Sequence, residues 1–309
     1  MITFTPTQHK AVYPAIDASQ PGLSQAGRTI LITGASYGIG FAAVQGFARA
    51  SAARIILLAR QRDSLASACE RLRAQNPSFQ GELMTYICDI GDAIRVAQVW
   101  EDLNQKSIAV DVLVVNACDP GTEATLDEIP LQLAWRAFEV NVRGNLDIVQ
   151  RFVQQGKTAD FSGRKRALIN ISSRLAHDHD SSVGYGSYAC SKIAFSSMIQ
   201  HLATEVPVEQ IQMLNVHPGE VYTEGIQRLC EKDSWPSWDE ASLPENYIVW
   251  AASPAASFLH GRFVWASWDV TELKSCEALT DGKPENKDLL KLGVNGVAFA
   301  LPSTAVLLS

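Results

Sequence analysis

A glycine-rich turn between an apolar run and a helical pattern does most to limit what this chain can fold into. Residues 29–33 read Thr-Ile-Leu-Ile-Thr, a short run rich in β-branched residues, and lead directly into Gly34-Ala35-Ser36-Tyr37-Gly38-Ile39-Gly40. From about Ile39 to Ala52 the pattern is helical. Such a turn joins a strand to a helix whose first N–H groups are free and whose end carries partial positive charge. Gly34 permits the sharp turn, Gly38 lets a pyrophosphate approach the backbone, and Gly40 lets helix and strand pack closely. With a strand before it and a helix after it, the turn reads as a phosphate-binding loop rather than a bare bend.

The same alternation continues along the chain. Strand-like runs recur at Ile55–Ala59, Leu83–Cys88, Val110–Val115, Ala167–Ile171 and Ile211–Val216, separated by segments long enough for crossover helices. Short, continuously apolar strands are buried on both faces, which implies a parallel sheet. The expected fold is therefore α/β: a Rossmann fold, with a doubly wound parallel sheet of about seven strands in one domain spanning 28–270. Residues 1–27 read as an arm laid across the body. Residues 224–247, with Trp235, Pro236, Trp238 and Pro244, read as a substrate lid. Residues 271–309 read as a C-terminal extension, whose apolar tail is expected to pack on the body or on a partner subunit.

Composition narrows the function classes. The 309 residues carry 26 Lys and Arg against 33 Asp and Glu, a net charge of −7, which disfavours a nucleic-acid partner. No run is long and apolar enough to span a bilayer, and the first twenty residues lack a secretory pattern. The six cysteines have neither zinc-ligand nor Cys-x-x-Cys spacing. Several lie in apolar runs, so they read as buried, reduced thiols, which suits the cytoplasm.

The end of the second strand bears on which dinucleotide is bound. An NAD site usually places a carboxylate there for the ribose 2′-hydroxyl. Here the strand ends Leu58-Ala59-Arg60, and a guanidinium suits a 2′-phosphate, with Ser36 as a further donor. NADP is therefore favoured over NAD. Asp63 is the competing carboxylate, but it lies beyond the strand and suits the next helix N-terminus. Asp89, followed by Ile90, ends the third strand and could accept from the adenine amino group or cap the helix beginning near Asp92. Asn116-Ala117 ends the fourth strand, where small residues leave room at the switch-point crevice.

Tyr188-Ala-Cys-Ser-Lys192 places a phenol and an ammonium on one helix face. A cation beside a phenol favours the phenolate and lowers its pKa, which would make Tyr188 a general acid or base for a carbonyl–alcohol pair. Tyr185 is two turns from Lys192 and reads as pocket lining. Ser172-Ser173 ends the fifth strand. His177-Asp178-His179-Asp180 has metal-ligand types, but its place between Ser173 and Tyr188 favours a substrate loop, and no metal site is expected.

Together these segments resemble the non-extended short-chain dehydrogenase/reductase family over about 28–268. The likeness rests on Gly34-to-Gly40, Asp89, Asn116-Ala117, Asn141 in Asn-Val-Arg-Gly-Asn, Ser173, Tyr188 to Lys192, and His217-Pro218-Gly219-Glu220-Val221-Tyr222-Thr223. The resemblance implies Tyr188 as acid/base and Lys192 as the residue that holds the nicotinamide ribose and depresses the tyrosine pKa. It further implies that Ser173 bonds the substrate oxygen and that Asn141 supports a relay water. Tyr37, Ile39, Pro218, Gly219, Val221 and Thr223 would border the cofactor, with Val221 and Thr223 at the nicotinamide carboxamide. Cys118 stands where the family usually has glycine.

The leading expectation is an NADP(H)-dependent oxidoreductase interconverting a carbonyl and a secondary alcohol on a bulky or aromatic small molecule. The resemblance also implies a homodimer or homotetramer. The segment 263–273 resembles fungal reductases, many of them in secondary metabolism. The alternatives are imine reduction, a non-redox step, or a silent NADP-binding scaffold.

Overall fold

The computed structural model describes residues 4–293 apart from 160, 162, 229, 236, 284 and 285. The apolar tail after residue 293 and Pro236 of the expected lid lie outside the described residues. Strand and helix alternate as β1 (Thr29–Thr33), α1 (Gly38–Arg49), β2 (Arg54–Ala59), α2 (Arg62–Gln75), β3 (Glu82–Ile87), α3 (Ala93–Gln105) and β4 (Val112–Val115). Next come α4 (Leu131–Phe138), a π-helical turn (Glu139–Gly144), α5 (Asn145–Gln155), β5 (Arg166–Ile171), α6 (Gly186–Glu205) and β6 (Ile211–His217). The described chain closes with α7 (Ser242–Ala251), β7 (Phe263–Trp265), α8 (Val270–Ser275) and α9 (Glu277–Thr280).

The seven strands form one parallel sheet in the order β3-β2-β1-β4-β5-β6-β7, the doubly wound arrangement expected from the alternation. The order reverses between β1 and β4, so a crevice opens at the carboxyl ends of these two strands. Alternate residues along each strand enter different cores. Ile30, Ile32, Ile55, Leu57, Val112 and Val114 pack under α1, α2 and α7. Leu31, Ile56, Leu113, Leu168 and Met213 pack under α3, α5 and α6. Each fully buried side chain of this kind contributes roughly 1.5–3 kcal/mol. The edge strand β3 is more exposed, as Glu82 and Thr85 face outward.

The first 27 residues lie on the body where described. His9 N–H donates to the Ser267 carbonyl at 2.7 Å, His9 Nε2 pairs with Asp269 at 2.8 Å, and Ile16 is fully buried. Residues 242–247, anticipated as the end of the lid, are instead the start of α7. There Leu243 to Tyr247 are buried against α1, because Gly46 has no side chain and a methyl there would lie 2.1 Å from the Glu245 carbonyl oxygen. Of the cysteines only Cys88 is buried, while Cys118 and Cys190 are exposed; all six are free thiols. No helix among the described residues is long and apolar enough to cross a membrane.

Candidate active site

The glycine turn occupies the head of the crevice. Gly34 has φ 64° and Gly38 φ 56°, a region that costs little only without a Cβ. A methyl on Gly40 would lie 2.1 Å from the Gly34 carbonyl oxygen, so turn and helix close directly on each other. The Ala35 N–H donates to the Leu58 carbonyl at 3.1 Å, which ties the turn to the end of β2. Thr33 Oγ1 accepts from the N–H groups of Asn116 and Ala117 at 2.9 and 3.0 Å. Asn116 Nδ2 donates to the carbonyls of Thr33 and Gly34 at 3.0 and 3.1 Å. Asn116 therefore braces the turn from β4, its amide donors already used.

Arg60 is exposed at the end of β2 and has no hydrogen-bond or ion-pair partner among the described residues. Asp63 falls in the first turn of α2, where a carboxylate favours the helix end. The cap of α3 is Asp92, which accepts from Ile94 and Arg95 N–H at 3.0 and 3.2 Å. Asp89 does not cap that helix; its Oδ1 accepts from Gly91 N–H at 2.9 Å. Ile90 is buried beside Val96 and closes against Gly144.

After β6, Pro218 and Gly219 (φ 98°) turn the chain back toward α1. Glu220 and Asp239 hold this turn: Glu220 N–H donates to Asp239 Oδ2 at 2.8 Å, and Asp239 N–H to the Glu220 carbonyl at 2.7 Å. Val221 bridges to Asp239, and Thr223 reaches Gly38, where an added methyl would meet Thr223 Cβ at 3.3 Å. Glu224 Oε2 accepts from the Gly38 N–H at 3.1 Å. The glycine turn and the segment from Pro218 to Thr223 are thus brought to one crevice, although β1 and β6 are far apart in sequence.

The chemical group lies on the other wall. Tyr188 and Lys192 share a face of α6, with the ammonium 5.7 Å from the phenol ring centroid. Lys192 is buried and donates through Nζ to the Ile171 carbonyl at 2.8 Å; burial pushes its pKa down. Burial also pushes the Tyr188 phenol well above its usual range, aided by the adjacent Cys118 thiol and by Glu220, while Ser173, within hydrogen-bond reach, opposes the shift. The expected depression of the tyrosine pKa by Lys192 is therefore reversed in this structure. Desolvation of the phenolate is the leading cause, and the Lys192 ammonium is committed to the Ile171 carbonyl.

Ser173 starts the turn after β5, where its Oγ accepts from Leu175 N–H at 3.3 Å. Its neighbour Ser172 is buried and bonds Ser196 at 2.8 Å, so Ser173 is the serine at the crevice. Asn141 sits in the π-helical turn, almost fully buried. Its Oδ1 accepts from Asp119 N–H at 2.7 Å, and its Nδ2 donates to the Asp119 carbonyl at 2.8 Å and to Ser191 Oγ at 2.9 Å. It pins the loop carrying Cys118 to α6.

The outer wall contains residues to which sequence reading gave no role. Arg174 Nε pairs with Glu220 Oε1 at 3.0 Å, and its guanidinium lies 4.8 Å from the Trp235 ring centroid. Burial pushes the Glu220 carboxyl up, against the pull of Arg174. Burial holds His217 down at about 3, and its Nδ1 accepts from the Arg174 N–H at 3.2 Å. In the His-Asp-His-Asp segment, His177 Nε2 accepts from Trp265 Nε1 at 3.0 Å and Asp178 accepts from Ser181 Oγ at 2.7 Å. Tyr185 donates to Glu123 at 3.1 Å. A cavity of about 560 Å³ lies beside this wall, lined by Val221, Tyr222, Gln227, Lys232 and Trp238 among others. The clue to Glu220 is its place in the His217–Thr223 motif. Arg174 follows Ser173 directly but carries no pattern of its own.

Comparison with known proteins agrees with this architecture. The family model for short chain dehydrogenases matches residues 28–234. The "Short chain dehydrogenase/reductase AacuD" of Aspergillus aculeatus is 32% identical over 94% of this chain and 96% of its own length. The "Short chain dehydrogenase/reductase nsrO" of Aspergillus novofumigatus is 33% identical over 87% and 90%. Among solved structures, a putative NAD(P)-dependent gluconate 5-dehydrogenase from Beutenbergia cavernae with bound NADP superposes with a TM-score of 0.69 at 26% identity, covering 82% of this chain and 99% of that one. The glycine turn, the Tyr188–Lys192 face and these likenesses lead to one conclusion: the chain belongs to the short-chain dehydrogenase/reductase family.

Proposed function

We propose that this chain is an NADP(H)-dependent oxidoreductase that interconverts a carbonyl and a secondary alcohol on a bulky or aromatic small molecule. The convergence of Ser173 and Lys192 on the Tyr188 phenol, beside the glycine turn, carries the reading. The crevice residues fit a dinucleotide: Gly34 and Gly38 adopt left-handed backbone, Gly40 leaves no room for a Cβ, and the Gly38 N–H already holds a carboxylate. When bound, the cofactor supplies or receives a hydride.

The chain's own residues handle the proton and the orientation. Ser173 Oγ and the Tyr188 phenol both donate to the substrate oxygen. Burial keeps Tyr188 protonated through neutral pH, so the phenol is loaded for the alcohol-forming direction. Lys192 holds the ribose hydroxyls, and Asn141, fixed by three bonds, supports the water that returns the proton. Arg60 and Ser36 take the 2′-phosphate, Asp89 the adenine, and Val221 and Thr223 the carboxamide. The aromatic wall of Trp235, Trp238 and Tyr222 supports a flat or bulky substrate.

The two Aspergillus relatives support a fungal source, and we place the activity in secondary metabolism. We further read the protein as a cytoplasmic homodimer or homotetramer, which light scattering tests. The deciding experiment for the function is turnover of NADPH with a panel of aryl ketones. Consumption that is abolished in Tyr188→Phe, with NADPH binding retained, supports the reading; turnover that survives the substitution ends it.

A further inference from the structure

We propose that Arg71, on α2, belongs to the dinucleotide site. With the Gly38 N–H it grips an anionic phosphate of the cofactor, and Glu224 is the internal carboxylate these two donors hold until that phosphate arrives. The inference rests on the NADP(H) reading above and adds a residue that neither the glycine motif nor the end of β2 points to.

Two donors from different elements converge on one carboxylate. The Gly38 N–H reaches Glu224 Oε2 at 3.1 Å, and Arg71 Nη1 lies 3.6 Å from Glu224 Oε1. Arg71 is held in place independently of Glu224. Its Nη2 donates to the Ser36 carbonyl within the glycine turn, and its guanidinium lies 4.1 Å from the Phe41 ring centroid on α1. Its Nε is buried without an acceptor among the described residues, so the guanidinium retains donor capacity. Gly38, Phe41, Arg71, Thr223 and Glu224 together line a cavity of about 250 Å³.

The partner is the replaceable member. Glu224 is about half exposed, with its side chain at 47%, and opens the segment after Thr223. An exposed ion pair is screened by solvent and contributes little. A phosphate carries more acceptor oxygens, and its charge-assisted bonds to a guanidinium and a helix N-terminal amide are stronger. Arg71 and Gly38 thus remain in place while one anion replaces another. A surface role for Arg71 would need neither the contact inside the glycine turn nor the shared carboxylate.

The test is equilibrium binding of NADPH and NADH to the full chain and to Arg71→Met and Glu224→Gln, with thermal melts as a folding check. Arg71→Met is expected to weaken NADPH about 10- to 100-fold, the range of one lost charge-assisted contact. Glu224→Gln is expected to tighten NADPH about two- to fivefold by removing the competing charge, and NADH as well if the anion is the pyrophosphate. Equal loss for NADH in Arg71→Met assigns the pyrophosphate; loss for NADPH alone assigns the 2′-phosphate. Wild-type affinities in a folded Arg71→Met, or weaker binding by Glu224→Gln, overturn the inference. If Arg71→Met fails to fold, the Glu224→Gln result decides. If the wild type binds neither dinucleotide but Glu224→Gln gains NADPH, the competing-carboxylate role is supported; if neither protein binds either dinucleotide, the NADP(H) reading falls and the inference with it.

Discussion

On the glycine-turn side of the crevice the geometry is made by backbone. Gly34, Gly38 and Gly40 shape it, and Thr33 and Asn116 brace it through main-chain partners. On the Tyr188 side it is made by side chains from distant segments. There Ser173, Arg174, Tyr188, Glu220 and Trp235 meet from the end of β5, from α6, and from the segments after β6. A backbone site recognises what every dinucleotide shares, whereas a side-chain wall can be rebuilt for each substrate without disturbing the fold.

The largest test of this division is Tyr188→Phe. Turnover should fall at least ~10²–10⁴-fold, the loss typical of a missing general acid or base, with NADPH affinity and melting temperature unchanged. A fall in NADPH affinity of similar size would mean that the two sides are not separable. Because the phenol is raised, ketone reduction should stay flat across neutral pH. Alcohol oxidation, which needs the deprotonated phenol, should rise with pH into the alkaline range. An oxidation rate already level at pH 7 would contradict the upward shift.

Arg60→Ala sharpens the same comparison within the glycine-turn side. It should weaken NADPH by roughly 1.5–3 kcal/mol and leave NADH nearly unchanged, as measured by titration calorimetry. Equal loss for both would remove Arg60 from the 2′-phosphate. Gly40→Ala should cost about 1–3 kcal/mol of stability in denaturant melts, because its methyl meets the Gly34 carbonyl oxygen rather than a movable side chain. Smaller effects belong to the outer wall. Tyr185→Phe, and alanine at His177 and His179, should change KM or substrate choice while NADPH affinity holds. Loss of a stoichiometric metal from the histidine variant, seen by elemental analysis, would overturn its reading as a substrate loop.

The unequal legibility of the two sides follows from their construction. The glycine turn is local: strand, turn and helix are contiguous, so a single stretch from Thr29 to about Ala52 displays the whole device. The sheet was equally legible, since strands buried on both faces leave continuous apolar runs. The boundary of the lid was not. Pro244 reads as a loop residue, yet it lies in the first turn of α7, where a proline costs no intrahelical bond. The buried helix after it follows from the close approach of Gly46, two hundred residues earlier.

The sequence by itself determined the fold class, and local pattern and fixed spacing pointed to the glycine turn and the Tyr188–Lys192 pair, while the roles of Ser173 and Asn141 entered only through the family resemblance. Only the tertiary structure decided the direction of the Tyr188 shift, the Arg174–Glu220 pair, and the shared hold of Gly38 and Arg71 on Glu224. Those depend on burial and on contacts between residues up to 186 positions apart, as between Gly38 and Glu224. Desolvation and electrostatics act through space, and a linear pattern contains no record of which charges the folded chain brings together.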